Sequence, residues 1–429
     1  MKRACETFTR KRMIKIHASS HIVMPCGAYY TFENKQLYHM KIRLLLLIAI
    51  SVLSVSPGFS QAPFTITHGP YIQGLTENEV TLVWTTNEKA ISWVELAPND
   101  DTHFYFTERP RFYNEAYGFK VVDSVHMVTL TNLQPNTTYR YRVYAQEVLS
   151  HVGTKVLYGT VAASNVYRQQ PLSFTTSNPA KNDISFLVLN DIHGNNELME
   201  TLLKGTDWEK TDLVFFNGDM TNDIRSEDQL FGNFLDKAVA LFASETPMYY
   251  ARGNHETRGN FATTFPRYFP TPTKQLYYMF RQGPVCFVVL DCGEDKPDSD
   301  LEYSGIVAFD NYRDKQARWL ENALQQDIFL EASYRVVIVH MPPFGGWHGE
   351  KEIEDKFVPL LEKAGVDIML CGHLHRHVFK DTGDGQNFPI IANANKAIVK
   401  AQTQNSMLNI EIVDTEGKVV QSLKIPARK

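Results

Sequence analysis

The chain has 429 residues, a net charge of −5, and apolar and charged fractions of 43% and 21%. That length suggests more than one domain, and the composition is that of a globular protein. The negative balance and the lack of a dense Lys/Arg run exclude general electrostatic binding to nucleic acid or to an anionic membrane.

From Met40 the sequence reads MKIRLLLLIAISVLSVSPGFSQA. Lys41 and Arg43 form a short positive region, Leu44 to Val55 an apolar core, and Ser60 and Ala62 the small residues of a cleavage site, so 40–62 is predicted to be a signal peptide. The apolar run is short for a membrane span, and no cysteine follows it to carry a lipid. No stable membrane anchor is therefore expected, and the mature chain is expected to be periplasmic or secreted; an uncleaved anchor is the alternative. Residues 1–39 lack periodicity, which predicts an over-extended, disordered start with translation from Met40. Cys286, Cys292 and Cys371 remain beyond this region, an odd number without disulfide-framework spacing. Cys286, in VCFVVLDC, is expected to pack as a small hydrophobe, with a Cys286–Cys292 bridge as the alternative.

Residues 63–176 carry short alternating runs such as VTLVWTT and ISWVEL, with turn signals between them, and predict an all-β sandwich. SNPAKND, 177–183, reads as a linker. Beyond it, ISFLVL, DLVFF, PMYYA, VCFVVL, YRVVIV and VDIML are nearly continuous apolar runs. QLFGNFLDKAVALFAS, DKQARWLENALQQ and EDKFVPLLEKAG between them have helical periodicity. Buried strands alternating with amphipathic helices predict an α/β domain over 183–429. PIIANA, MLNIEIVD and VVQSLKI are expected to close it as strands.

The residues that follow these strands carry the chemistry. NDIHGN supplies Asp191 and His193, NGDMTND supplies Asp219, and RGNHE supplies Asn254 and His255. His340 follows YRVVIV, and GHLHRH, with His373, His375 and His377, follows VDIML. Ligands of open α/β sheets bind beyond the carboxyl ends of the strands, so five strand ends are expected to deliver Asp, His and Asn to one edge. Carboxylate, imidazole and amide oxygen suit first-row divalent or trivalent metals. Two such ions roughly 3.5–4 Å apart clamp a phosphoryl group. In an extended segment, alternate residues share a face, so His373 and His375 are expected to point the same way.

The ordered set DIH, GDMTND, GNHE, a strand-terminal His and GHLH resembles the calcineurin-like metallophosphoesterases over about 183–400. The LxPxTxYxYxV stretch in front resembles a fibronectin type III domain, and the domain order resembles the purple-acid-phosphatase-like branch. The resemblance implies a four-layer α/β/β/α second domain. It also implies a first metal at Asp191, His193 and His375, a second at Asn254, His340 and His373, and Asp219 bridging them. Mn, Fe or Zn fit these ligand types. Implied too is attack of a metal-bound hydroxide on a small-molecule phosphomonoester, with His255 meeting the phosphate and protonating the leaving oxygen. Asp223 or Glu256 would orient His255, and Asn254, Arg252, His348 and His377 are candidate substrate contacts. Asn222 stands where purple enzymes carry a tyrosinate, so a colourless protein is expected. Asp223 stands where protein phosphatases place a phosphate-clamping arginine; Arg252 or Arg225 is the candidate substitute. A phosphodiesterase acting on cyclic nucleotides or other diesters, and a catalytically silent binding protein, are the alternatives.

Overall fold

The computed structural model describes residues 62–164, 170–178, 180–383 and 385–428. Residues 1–39 and all of the expected signal peptide except Ala62 lie outside the described residues. Among those described, no helix is long and apolar enough to cross a membrane.

The N-terminal region is built from β1 (Ile66–Gln73), β2 (Val80–Pro98), β3 (Arg111–Tyr113), β4 (Glu115–Ala116), β5 (Phe119–Lys120), β6 (Asp123–Leu130), β7 (Thr138–Val152), β8 (Lys155–Ala163) and β9 (Leu172–Thr175). Its organising element is β2. Val80–Thr85 pairs with β6, and β1 pairs along the same half, whereas Trp93–Glu95 pairs with β3 and Ala90–Pro98 with β7. A register shift between Thr85 and Ala90, across exposed Asn87–Lys89, lets one strand serve two layers. Trp84 and Leu82 from its first half and Val94 and Leu96 from its second bury against Val128, Tyr141 and Phe174 in one core.

The second region contains two six-stranded sheets. The first holds β10 (Ser185–Leu189), β11 (Leu213–Asn217), β12 (Met248–Ala251), β19 (Ala397–Gln404), β20 (Met407–Asp414) and β21 (Val419–Pro426), in the order β12-β11-β10-β19-β20-β21. The second holds β13 (Tyr278–Gln282), β14 (Val285–Val289), β15 (Tyr334–Ile338), β16 (Ile368–Cys371), β17 (Val378–Lys380) and β18 (Ile390–Ala392), in the order β13-β14-β15-β16-β18-β17. Period-two alternation sends Phe186, Val188 and Phe215 to meet Phe287, Val336 and Leu370 between the sheets. Leu187, Leu189 and Phe216 face outward onto Met199, Phe231 and Phe234. Val288, Val337 and Met369 face the other way, onto Leu320, Ile353 and Leu361. These are the four layers expected, and burial on both faces explains the continuous apolar runs.

Several local expectations change. The QLFGNF helix forms as Glu227–Ala243 but contains two π-turns, at Phe231–Leu235 and Val239–Ala243. The last predicted helix is two, His348–Lys356 and Val358–Ala364, with Pro359 accommodated in the first turn of the second. Ala397–Gln404 is a central strand that the apolar runs did not reveal, because Lys400 and Gln402 interrupt its pattern. Cys286, Cys292 and Cys371 are free and buried, so Cys286 does pack as a small hydrophobe and no Cys286–Cys292 bridge forms.

The β region is tied to the α/β region through backbone acceptors. Tyr71 Oη donates to the Tyr268 carbonyl at 2.8 Å, and Tyr141 Oη to the Ser244 carbonyl at 2.7 Å, both buried. Removing the Tyr141 hydroxyl leaves that carbonyl without its donor. Tyr141→Phe is expected to destabilise the protein by about 1–2 kcal/mol, read as a lower urea midpoint; an unchanged midpoint would contradict this coupling.

Candidate metal centre

Five loops meet at the seam where the carboxyl ends of both sheets converge. Asp191 and His193 follow β10, Asp219 follows β11, and Asn254 and His255 follow β12 of the first sheet; His340 follows β15, and His373 and His375 follow β16, of the second. The expected single edge is thus two edges brought together.

These side chains are aimed by the backbone. Asp191, His193, Asp219, His373 and His375 all have left-handed φ, between 51° and 70°. That conformation is costly for non-glycine residues, and strain of this kind collects at functional sites. It corrects the expectation for GHLHRH: the segment is a run of bends, not a strand, and left-handed residues rather than alternation turn His373 and His375 inward. Cross-loop bonds hold the arrangement: Asp191 N–H donates to Gly218 O at 3.0 Å, His193 N–H to Asp219 O at 2.9 Å, and His373 N–H to Asp191 Oδ2 at 2.9 Å. A Cβ on Gly218 would lie 2.4 Å from His340 Nδ1, and one on Gly253 would lie 2.2 Å from Asp219 Oδ1. Close approach therefore requires both glycines.

Two groups of donor atoms result, each within 4.8 Å: Asp191, His193 and His375, and Asp219, His340 and His373. In the first, His375 Nε2 lies 3.1 Å from Asp191 Oδ1 and 3.1 Å from His193 Nε2. In the second, His340 Nε2 lies 3.1 Å from Asp219 Oδ2 and 3.9 Å from Asp191 Oδ1, so the groups abut. Asn254 Oδ1 lies 3.1 Å from His373 Nδ1 and joins the second group. Asp219 sits between its group and His255, with Oδ1 accepting the His255 N–H at 3.0 Å.

The tautomers follow from the outer partners. His340 Nδ1 meets the Asn217 carbonyl at 2.7 Å; a carbonyl only accepts, so Nδ1 carries the proton. Asn222 Oδ1 lies 2.9 Å from His193 Nδ1 and fixes that ring in the same sense. Both Nε2 lone pairs therefore point inward, the arrangement that outer partners impose on metal-binding histidines. While the His340 ring is neutral, the buried His340 Nε2 and Asp191 Oδ1 face each other at 3.9 Å with no proton between them. Buried electron-rich atoms facing one another fit a bound cation.

Electrostatics agree. Burial opposes charge on His340, but Asp219 and Asp191 override it and raise the imidazole to about 10. Burial likewise disfavours the Asp219 anion, and His340 overrides it to hold that carboxyl well below the usual range. Burial, reinforced by His340, pushes His373 down to about 4, leaving it neutral near pH 7. Burial also lowers His193.

Several assignments need correction. Asp223 does not orient His255: it binds Arg225 and Gln229, while His255 Nδ1 donates to the Asn222 carbonyl at 2.8 Å. Nor does Glu256. It is fully buried, and its carboxylate accepts the N–H groups of Asp219 and Gly253 at 2.9 Å, Met220 at 2.7 Å and Thr221 at 3.2 Å. It clamps the loops that follow β11 and β12 together. Arg252 is buried and paired with both oxygens of Asp291, at 3.2 and 2.8 Å, and Arg225 is paired with Asp223, so neither is a free phosphate clamp. His348 binds Asp310 at 2.7 Å in a group with Glu352, whose carboxylates already pair with Arg313 and Lys356. His377 belongs to neither donor group; burial lowers its imidazole, opposed by Gln421 on β21.

Two residues escaped the sequence reading. Glu350 is buried with Oε1 3.7 Å from His373 Nε2, while Oε2 accepts the Trp347 N–H at 2.8 Å, the N3 residue reaching back to the helix N-cap. A glutamate three residues after Trp347 at the start of a helical run was the available signal, without the Ser or Thr that would have marked a capping box. Arg258 Nη1 lies 3.4 and 3.5 Å from the two ring nitrogens of His255; it stands three residues after that histidine, and nothing local marks it.

Residues 184–377 match the calcineurin-like phosphoesterase family, and residues 70–176 match the purple acid phosphatase N-terminal domain. The chain therefore carries a calcineurin-like phosphoesterase domain behind a purple acid phosphatase N-terminal domain. Both donor groups fall inside the phosphoesterase match. Among its relatives are a probable purple acid phosphatase 20 of Arabidopsis thaliana, 24% identical over 315 residues, 67% of this chain and 65% of that protein. Acid phosphatase type 7 of Mus musculus is 24% identical over 275 residues, 59% of this chain and 56% of that one. The chain spans less than two thirds of the length of these relatives. A solved structure of GAP50, the anchor in the inner membrane complex of Plasmodium, aligns with TM-score 0.41 and 13% identity over 58% of this chain and 90% of that one.

A proton and a metal ion compete for His340 Nε2. With the imidazole raised to about 10, the metal-free protein keeps that proton at pH 7. Metal uptake at pH 7 is expected to release about one proton per chain from this site, read by calorimetry in buffers of different ionisation enthalpy. Uptake without proton release would contradict the assigned competition.

Proposed function

We propose that the chain is an exported, metal-dependent phosphatase acting on phosphate monoesters. One observation carries the reading: inward-facing donor atoms crowd together at the junction of two Asp/His groups, with His340 Nε2 3.1 Å from Asp219 Oδ2 and 3.9 Å from Asp191 Oδ1. Asp191, His193 and His375 would hold one ion, and Asn254, His340 and His373 a second, with Asp219 between them; Mn, Fe and Zn all suit these donors. When bound, the ions supply Lewis acidity toward phosphoryl oxygens and lower the pKa of water toward neutrality.

The chain's own residues do the rest. Asn217 and Asn222 hold His340 and His193 in the tautomers that offer Nε2. Glu256 keeps the loops of Asp219 and Asn254 in register. His255 spends its Nδ1 proton on the Asn222 carbonyl, so Nε2, 3.8 Å from Asp219 Oδ2, is the atom left to protonate the leaving oxygen. The purple acid phosphatase names of the relatives and the N-terminal match favour monoesters. The Asn222–His193 pair favours the second reading, a diesterase, because an imidazole-bearing first group replaces the tyrosinate type of site.

The test compares p-nitrophenyl phosphate with bis-p-nitrophenyl phosphate on protein loaded separately with Mn, Zn and Fe, with a chelator control. Chelator-sensitive preference for the monoester is expected; preference for the diester would replace the proposal by the second reading. His255→Ala should keep its metal and lose about a hundredfold or more in kcat on esters with poor leaving groups, and less on good ones. A loss equal across leaving groups would contradict proton donation. The Fe-loaded protein should lack the visible absorption band of a tyrosinate–iron pair.

A further inference from the structure

A cavity of about 550 Å³ opens beside the turn that carries Asn254 and His255. Thr257 forms part of its wall, with Oγ1 2.7 Å from the Asn254 carbonyl and 2.7 Å from Glu294 Oε1. Arg258, also in the wall, reaches within 3.4 Å of His255 Nε2. The cavity therefore adjoins His255 through Arg258, whose Nη1 lies 3.5 and 3.4 Å from the two ring nitrogens of that histidine. It is of a size that encloses a small organic molecule.

Its lining has two properties. The first is apolar: Ala262, Pro266, Ile306, Val307 and Phe309 line it, and Ile306 is 88% exposed, an isoleucine held in contact with water. The second is electrical balance. Its charged lining residues are Arg252, Arg258, Glu294 and Glu302, two of each sign. Each is already paired: Arg252 with Asp291, Arg258 with Glu294, and Glu302 with Lys296. A carboxylate or a further phosphate on the ligand would find these cations engaged, and entering the cavity would strip its hydration without a free counter-charge. An uncharged, mostly apolar group meets no such cost and covers Ile306 and Phe309.

We propose that this cavity receives the organic group of the ester, selecting an uncharged, largely apolar alcohol or phenol on the scale of a naphthyl ring. This rests on the phosphatase reading above, and Ile306, Val307 and Phe309 are then its specificity-determining wall. Turnover and binding separate the two ideas. The full chain and Ile306→Asp, a change at an exposed position that does not threaten folding, are compared with 1-naphthyl phosphate, methyl phosphate and free 1-naphthol. The ratio of kcat/KM for the naphthyl over the methyl ester is expected to fall about tenfold in the variant. The 1-naphthol Kd, measured by calorimetry with and without metal, should rise by a similar factor. No 1-naphthol binding to the unaltered protein, or an affinity that Ile306→Asp leaves unchanged, overturns the pocket whatever the turnover. No turnover of either ester by the unaltered, metal-loaded protein, with the 1-naphthol affinity shift retained, overturns the hydrolase reading and leaves the pocket standing.

Discussion

The constraint on which the rest of the molecule depends is the crowding of lone pairs at the seam between two sheets. His193 and His375 bring Nε2 atoms within 3.1 Å of each other, and His340 Nε2 comes within 3.1 Å of Asp219 and 3.9 Å of Asp191. Donors this close repel unless a proton or a cation lies among them. His340 answers that demand by holding a proton to about pH 10. A metal ion answers it with more charge and with more open coordination directions.

Holding such a cluster open requires a scaffold that opposes collapse. Each left-handed Asp or His costs roughly 1–3 kcal/mol, and five of them line this seam. Glu256 opposes that cost directly, since hydrogen bonds to a charged acceptor contribute about 1.5–3 kcal/mol each and it accepts four backbone N–H groups from the two loops it joins. Burial and the neighbouring Asp219 push the Glu256 carboxyl above its ordinary pKa, so these hydrogen bonds hold the clamp against an opposing electrostatic environment. Asn190 extends the support beneath Asp191, donating to Oδ2 at 2.7 Å and to the Asn393 carbonyl at 3.1 Å. Gly218 and Gly253 remove the two Cβ atoms that would force the loops apart.

Much of this was legible because its causes are local. A buried strand writes itself as a run such as DLVFF, and an Asp or His placed after it must emerge at the strand's carboxyl end. The seven residues expected to bind metal therefore all arrive at the seam. The four layers were legible through the family resemblance rather than through periodicity, which cannot say whether six strands form one sheet or belong to two. What stayed hidden depends on distant partners. Arg252 looked free until Asp291, 39 positions away, turned out to hold it. His348 looked like a substrate contact until Asp310 took its Nε2. The GHLHRH bends hid for another reason: alternation in sequence reads the same for a strand as for left-handed residues at every second position. The pocket beside His255 is formed by segments 252–266 and 294–309, whose meeting no local pattern announces.

The most direct measurement is metal content with coordination. The chelator-stripped protein would be titrated with Mn, and bound ions counted by equilibrium dialysis while low-temperature paramagnetic resonance reports whether they couple. The account predicts two ions per chain with the exchange-coupled spectrum of a pair that shares Asp219. A single ion, or two with independent spectra, would contradict the claim that the two donor groups form one centre.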